Sequence, residues 1–526
     1  MAESRPTVSH FLISVALLVL TWVIWVAFKP RKRVSLRSVV ILVLGDIGRS
    51  PRMMYHAQSF AENDFTTNLI GYGGSNPIPS LKRLPKIDIS YLPEPPKLLR
   101  RFPFVIAAPI KIIHQIFSIF LVLLFRIEDP PEFILVQNPP SIPTLALVQL
   151  VGRIRGSKII IDWHNLGYSI LALKLGTNHI LVRLATWFER KFGHSAYAHL
   201  FVTSAMHNFL VKEWDLQGEK IVLHDRPPQH FHHSSAQEIH ELFRKLQPVL
   251  ENQKVLDDFL PLSSVPYSTA FTRAMSKPST DILQEGLPPF SGPSIYAYSD
   301  TPTPSLRPDR PALLVSSTSW TPDEDFEILI DSLGMYETRA EELASQKVAA
   351  SLPKMLVVVT GKGPLKAKYM ADVDRLQRGW KWVRFISLWL EAEDYPIFLG
   401  SADLGVCLHS SSSSLDLPMK IVDMFGCGLP VCALDFTCLH ELVNDGENGR
   451  IFKTAPQLAT QLETLLAGFP NSPSLRKLAS SLERAPATPN PHVSTNHGSQ
   501  EPQMWCTWEE NWGRVMRPLI LHDVNF

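Results

Sequence analysis

His409 to Leu434 reads HSSSSSLDLPMKIVDMFGCGLPVCAL, and short apolar runs bracket it at Leu404–Leu408 (LGVCL) and Pro430–Leu434 (PVCAL). The order is strand, polar loop, helix, strand. Ser410 to Ser414 form the loop, Asp416 is expected as the N-cap, and Pro418 lies in the first helical turn. Gly426 and Gly428 close the helix. A loop feeding a helix N-terminus offers backbone N–H groups and a partial positive charge, which suits a diphosphate. Lys420 follows one turn in. Asp423, three residues later, shares its face and is suited to accept hydrogen bonds from ribose or sugar hydroxyls.

The same alternation extends in both directions. Ala312–Ser316 (ALLVS), Met355–Thr360 (MLVVVT) and Val383–Ile386 (VRFI) are further buried-strand patterns upstream. A separate series lies nearer the N-terminus: Val39–Leu44 (VVILVL), Thr67–Gly71, Phe133–Gln137 (FILVQ), Lys158–Ile161 (KIII) and Leu200–Thr203 (LFVT). Helical stretches such as Ile180–Phe192 separate them. Continuous apolar strands alternating with helices specify an α/β class with parallel sheets covered on both faces. Two such series imply two Rossmann-like domains with a cleft between them, where ligands meet the carboxyl ends of the strands.

The expected domains are an anchor at 1–33, a first Rossmann-like domain at 34–228 and a linker or insertion at 229–310. A second Rossmann-like domain follows at 311–485, then a loop and C-terminal helix at 486–526. Residues 261–311 hold ten prolines, which marks the linker, although Gln237–Asn252 fits one helix. Residues 486–503 read as a disordered surface loop, and Trp508–Met516 has helical spacing.

The 526 residues carry 51 Lys+Arg against 50 Asp+Glu, so no basic excess points to nucleic acid. At 45% hydrophobic residues the chain is not disordered. All five Cys fall in the last quarter without CxxC spacing, which reads as buried thiols rather than a disulfide or zinc framework.

Phe11–Phe28 (FLISVALLVLTWVIWVAF) is uncharged and spans about 27 Å as a helix. Lys29, Arg31, Lys32 and Arg33 follow it, so the positive-inside rule leaves the bulk of the chain in the cytosol. A second apolar stretch, Phe102–Phe125, is interrupted by Pro103, Pro109, Lys111 and His114. Its clean part is too short to span, and it is expected as a helix that is buried or dips into a membrane surface.

Three further stretches carry chemistry. Gly45-Asp46-Ile47-Gly48-Arg49 follows the first strand; the glycines allow a tight turn and close ligand approach, and Arg49 and Arg52 suit a phosphate. Asp162-Trp163-His164-Asn165 ends the strand KIII, where a His faces the ligand side and serves as a general base or a sugar-hydroxyl partner, with Asp162 orienting it. Gly361-Lys362-Gly363-Pro364 ends the strand MLVVVT and suits an anion. Metal-ligand spacing is absent, and the His230, His232 and His233 cluster reads as solvated.

Taken together, GDIGRSPRM, DWHNLGYS, GKGP, SSSLDLPMKIVDMFGCGLPV, the N-terminal apolar run and the ending WEENW resemble the chitobiosyldiphosphodolichol β-mannosyltransferase family. The resemblance covers both halves and lapses mainly at 229–310 and 486–503. It implies a GT-B fold and an inverting transfer from GDP-mannose to two GlcNAc residues on dolichyl diphosphate, at the cytosolic face of the endoplasmic reticulum. By the same resemblance Gly361, Lys362 and Gly363 face the donor, with Lys420 beside its diphosphate. Ser411, Ser412 and Ser413 meet that diphosphate, and Asp423 takes the second acid of a Glu-x7-Glu motif. The first acid departs from the pattern, because Leu415 stands eight residues earlier and Asp416 seven. Gly45, Gly48, Arg49, Arg52 and Asn165 are expected on the acceptor side. The base is Asp46 or His164, with Asp46 favoured because a carboxylate is ionised at neutral pH. No cofactor is implied, no metal need be a ligand, and other mannosyltransferases of the pathway are plausible partners. An α-mannosyltransferase of a later step, a non-catalytic lipid-sugar binding subunit and a soluble epimerase are the competing readings.

Overall fold

A computed structural model of the chain describes residues 21, 34–96, 101–102, 104–275, 303–321, 324–346, 351–409, 415–483 and 506–521. The chain divides into two compact units, Met1–His224 with Trp512–Phe526, and Asp225–Asn511. Apart from Thr21, the apolar run at 11–28 lies outside the described residues, as do Ser410–Ser414 and the segment 486–503.

The first unit runs β1 (Ser35–Asp46), α1 (Pro51–Glu62), β2 (Thr66–Tyr72), β3 (Ile87–Tyr91), α2 (Phe104–Leu121), β4 (Pro131–Asn138) and α3 (Thr144–Arg155). It continues with β5 (Lys158–Trp163), α4 (Gly167–Leu175), α5 (Ile180–Gly193), β6 (Ser195–Phe201), α6 (Ser204–Trp214) and β7 (Gln217–Val222). The seven strands pair in parallel in the order β3-β2-β1-β4-β5-β6-β7. Val39 to Val43 on β1 and Phe133 to Val136 on β4 are essentially inaccessible to solvent. Burying each such side chain contributes about 1.5–3 kcal/mol, which is why these runs occupy the sheet centre. Chain order reverses between β1 and β4, so the loops after Asp46 and Asn138 open at the sheet's switch point.

Helix α2 passes through Pro109 and Lys111 without a break and continues as a π-helical turn to Arg126. Ala107–Arg126 is the one described helix long and apolar enough to cross a membrane. It is neither fully buried nor fully free: Ile119, Val122 and Leu123 pack inward, while Ile113, Phe117 and Leu121 are exposed.

The second unit contains α7 (Ala236–Glu251), a hairpin of β8 (Thr272–Met275) and β9 (Thr303–Leu306), then β10 (Ala312–Ser317), α8 (Phe326–Ser345), β11 (Met355–Thr360) and α9 (Lys366–Leu376). It continues with β12 (Val383–Leu388), α10 (Asp394–Ser401), β13 (Leu404–Cys407), α11 (Met419–Gly426), β14 (Val431–Leu434), β15 (Gly449–Phe452), α12 (Ala455–Leu466) and α13 (Pro473–Ser480). Its six-stranded parallel sheet has the order β12-β11-β10-β13-β14-β15.

Residues 229–275, expected as the start of a linker, contribute to this unit's core. Ser235 and Glu238 close a capping box on α7. Its apolar face, with Ile239, Leu242, Phe243 and Leu246, then packs in one cluster with Leu313, Leu356 and Phe398. The last helix, α14 (Trp508–Ile520), starts in the second unit, where the Trp508 N–H donates to the Pro227 carbonyl (2.9 Å). From Trp512 onward it belongs to the first unit.

Candidate active site

In the first unit the site grows from the ends of β1 and β5. Asp162 is wholly buried and gathers three basic side chains. Arg52 Nε and His164 Nε2 lie 2.8 and 2.9 Å from its Oδ2, and His56 Nε2 lies 3.3 Å from the same oxygen. Arg52 Nη2 reaches Oδ1 at 3.0 Å, so the guanidinium–carboxylate pair is bidentate. Burial opposes ionisation, yet Arg52, His164 and the bonds from His164 and His56 hold the Asp162 carboxyl well below the usual range.

The proton positions follow from this arrangement. An ionised carboxylate only accepts, so His164 carries hydrogen on Nε2 and its Nδ1 is the basic nitrogen. The His164 backbone N–H donates to the Asn138 carbonyl (2.9 Å), which fixes the loop, and the ring is partly exposed. Trp512 Nε1–H can only donate and does so to His56 Nδ1 at 3.0 Å. His56 therefore carries its hydrogen on Nε2, toward Asp162. Burial is the largest influence on His56 and lowers its pKa, outweighing the pull of Asp162, so the ring stays neutral.

Asp46 is occupied differently. Its carboxylate accepts from Gly48 N (3.1 Å), Ser75 N (2.9 Å) and Ser75 Oγ (2.8 Å), and Arg49 Nε lies 3.7 Å away. Partial burial raises its pKa, but the Ser75 and Gly48 bonds and Arg49 more than offset this and leave it lowered. A carboxylate so engaged is a loop clamp and a weak base. A Cβ on Gly48 would sit 2.6 Å from the Ser75 carbonyl oxygen, so the glycine permits the two loops to meet. Gly45 is different, since a Cβ there would approach nothing closer than 3.9 Å. Arg49 is largely exposed, whereas Arg52 is buried. Asn165 is engaged within its own loop: its Oδ1 accepts from Leu166 N (2.7 Å).

In the second unit the candidates gather at the carboxyl ends of β10, β11 and β13. Gly361 has φ +120°, and a Cβ on Gly361 or Gly363 would lie 1.8 Å from the Thr318 or Ser319 carbonyl oxygen. These glycines let the β11 loop pack against the β10 loop. Lys362 Nζ sits 3.7 Å over the exposed Trp389 ring. Lys420 pairs with the buried Glu324, which also accepts from Thr318 Oγ1 and from Ser319 N (3.1 Å).

Helix α11 begins at Met419 with Pro418 as N-cap, so Asp416 lies outside it. A residue before proline avoids the α region, which keeps the helix from starting earlier. The helix ends in a Schellman motif. Leu429 N–H bonds the Met424 carbonyl, Gly428 N–H bonds the Phe425 carbonyl, and Gly428 is left-handed. Gly426 is instead the last helical residue, and its bare Cα admits Pro227 and Phe231. Burial, with Asp225 adding to it, pushes the half-buried Asp423 up to about 8. Among the described residues no three His, Cys, Asp or Glu side chains form a metal-sized group.

Residues 337–468, the stretch holding α11 and its flanking strands, match the family "Glycosyl transferases group 1". The chain is 40% identical over 513 residues to the mouse chitobiosyldiphosphodolichol beta-mannosyltransferase, covering 97% of this chain and 95% of that protein. The chain belongs to this chitobiosyldiphosphodolichol β-mannosyltransferase family. It is also 38% identical over 497 residues to the Arabidopsis thaliana UDP-glycosyltransferase TURAN, covering 92% and 97%. Among solved structures it resembles Anabaena HepE in complex with UDP and glucose, with a TM-score of 0.51, 13% identity and coverage of 85% and 94%. That likeness shows the fold, which is GT-B with two parallel Rossmann-like sheets.

For this mannosyltransferase-family chain, sequence reasoning put Asp162 and His164 at a strand's carboxyl end and Lys420 and Asp423 on a helix, which is where they lie, at the end of β5 and on α11. It missed three partners. Glu324 sits in the acidic run Asp323-Glu324-Asp325, from which nothing selects one carboxylate. His56 and Trp512 look like interior helix residues, and only their meeting across 456 positions gives them a role.

Proposed function

We propose that this chain is an inverting glycosyltransferase that moves mannose from GDP-mannose to GlcNAc2-diphosphodolichol and forms the β-1,4-mannosyl bond. The near-full-length relation to proteins named for that reaction carries this reading. The pairing of a basic ring nitrogen with a buried carboxylate, at His164 and Asp162, supports the mechanism.

His164 Nδ1 takes the proton of the acceptor's 4-hydroxyl. Asp162 holds the ring and stabilises the imidazolium that forms, as a buried carboxylate does in other His-based catalysts. The hydroxyl oxygen forms its bond to mannose C1 from the β face as the bond from C1 to the diphosphate oxygen breaks, and GDP leaves. The α11 N-terminus, Lys420 and Lys362 offset the charge that collects on the diphosphate. Ser411, Ser412, Ser413, Asp416, Gly361 and Gly363 complete the donor side, with Asp423 toward the sugar or ribose hydroxyls. Gly45 and the exposed Arg49 serve the acceptor, while Arg52, Gly48, Asp46 and Asn165 shape the loops that present it.

The working place is the cytosolic face of the endoplasmic reticulum membrane, with residues 11–28 as a single span. Dolichyl-linked chitobiose, GDP-mannose and the membrane are the partners, and other mannosyltransferases of the pathway are candidates. Incubating detergent-solubilised protein with chitobiosyl-diphosphate-lipid and either GDP-mannose or UDP-sugars tests this. One added hexose from GDP-mannose alone is expected. Transfer from a UDP-sugar, or none to this acceptor, contradicts it.

A further inference from the structure

Helices α4 and α5 form a hairpin whose composition does not match its burial. Helix α4 (GYSILALKL) is predominantly apolar, yet none of its residues is buried. On α5 only Val182, Glu189 and Gly193 are buried. The outer face of the hairpin shows Leu173 (66% exposed), Ile180 (74%), Leu184 (52%) and Trp187 (58%). An isolated apolar side chain on a surface needs no explanation, but a run of them on consecutive helices does.

Charge identifies what covers this face. The Asp, Glu, Lys and Arg residues of Gly167–Gly193 are Lys174, Arg183, Glu189, Arg190 and Lys191, and the exposed His179 lies between the two helices. Glu189 is buried, and the four basic residues are exposed. An apolar face with Trp and Leu, edged by cations alone, is the pattern of a helix lying in a membrane interface. A protein partner would not require every exposed charge to be positive. The neighbours agree: α5 packs on α3, which packs on α2, whose own outward residues are Ile113, Phe117 and Leu121.

Glu189 ties this hairpin to the catalytic loop. Its carboxylate, pushed up by burial, accepts from Gly167 N (3.0 Å), Tyr168 N (3.2 Å) and Asn138 Nδ2 (2.6 Å). The Asn138 carbonyl in turn receives the His164 N–H. A pocket of about 420 Å³, lined by Pro139, Pro140, Ile142, Ile170 and Leu171 among others, lies between the hairpin and the β4 loop.

We propose that the α4–α5 hairpin is a membrane-surface contact that inserts its apolar face into an anionic bilayer and seats the His164 loop at the height of the lipid headgroups. This deepens the functional reading, because an acceptor carried on a polyprenyl lipid presents its sugars at that height. The surface is formed by residues other than those of α2.

The test uses the full chain in phosphatidylcholine–phosphatidylserine vesicles containing a nitroxide lipid. With Cys506→Ser, an environment-sensitive fluorophore is placed after Trp187→Cys or, as a control, after Glu219→Cys on the exposed edge strand β7. Quenching at position 187 is expected to exceed that at 219 by at least about twofold, because an interfacial helix sits roughly 5–10 Å into the headgroup–acyl boundary. It is expected to fall when phosphatidylserine is omitted or when Arg183→Glu and Lys191→Glu are introduced. Equal quenching at the two positions overturns the proposal, and independence from lipid charge overturns the anionic preference. The readout does not need turnover. A chain that inserts but transfers no mannose refutes the functional reading alone, and a chain that transfers mannose with position 187 unquenched refutes this one alone.

Discussion

Replacing Asp162 by Asn separates catalysis from stability at the residue where both converge. The carboxylate is fully buried and is the bidentate partner of Arg52, itself only 3% exposed. Removing one member of a buried pair leaves the other charge unpaired and costs about 3–5 kcal/mol, a large share of the roughly 5–15 kcal/mol that holds a typical domain. The amide also turns a donor toward His164 or Arg52 and disturbs the ring's tautomer. Turnover is expected to fall about 10²–10⁴-fold, the range of a positioned general base, or about 3–5.5 kcal/mol at roughly 1.4 per decade.

The melting temperature and kcat should be measured for Asp162→Asn, for Arg52→Met and for the double variant. Were Asp162 only the counter-ion of Arg52, the double variant would recover both stability and turnover. If it holds His164, the double variant recovers much of the stability while kcat stays low. Turnover of Asp162→Asn within about threefold of the parent, measured well below its melting point, would refute the reasoning. Acid should act similarly. Because the folded-state pKa is lowered, the stability Asp162 supplies is present above the unfolded carboxyl value near 3.9 and is lost as pH falls through its folded value.

Further expectations come from the same geometry. Asp46→Asn weakens the loop clamp to Ser75 and should raise the acceptor KM more than it lowers kcat; a kcat loss of about 10²-fold with unchanged KM would return the base to Asp46. Asp423, pushed up to about 8, binds a proton in the folded state that the unfolded chain has released above about 4. Stability should therefore decline as pH rises between those values, and Asp423→Asn should flatten that slope in thermal melts, whereas an unchanged slope would place the titrating group elsewhere. Trp512→Phe keeps the edge contact with Phe60 but removes the donor to the buried His56 Nδ1, so a stability loss of about 1–3 kcal/mol with retained folding is expected.

Legibility in the sequence followed burial. The central strands β1, β4, β10 and β11 read as continuous apolar runs because both faces are covered. β3 (IDISY), β7 (QGEKIV) and β15 (GRIF) went unread; all three are sheet edges, where half-exposed positions break the pattern. Asp162-Trp163-His164 was legible because chemistry at a strand's carboxyl end follows from topology. The choice between Asp46 and His164 was not, because it depends on which donors reach each carboxylate. Ser75 approaches Asp46 from 29 positions away, and Arg52 approaches Asp162 from 110. Residues 229–275 read as the start of a linker holding one helix at 237–252; that helix, α7, is capped and its apolar face packs into the second unit's core.

The measurement that tests the central reading most directly is the anomeric configuration of the transferred sugar. Chitobiosyl-diphosphate-lipid extended with GDP-mannose should be divided between α- and β-mannosidase. Complete release of the added hexose by the β-enzyme, with none by the α-enzyme, is expected of an inverting transfer from the α-linked donor. Release by the α-mannosidase would contradict it and assign the chain to a later, retaining step.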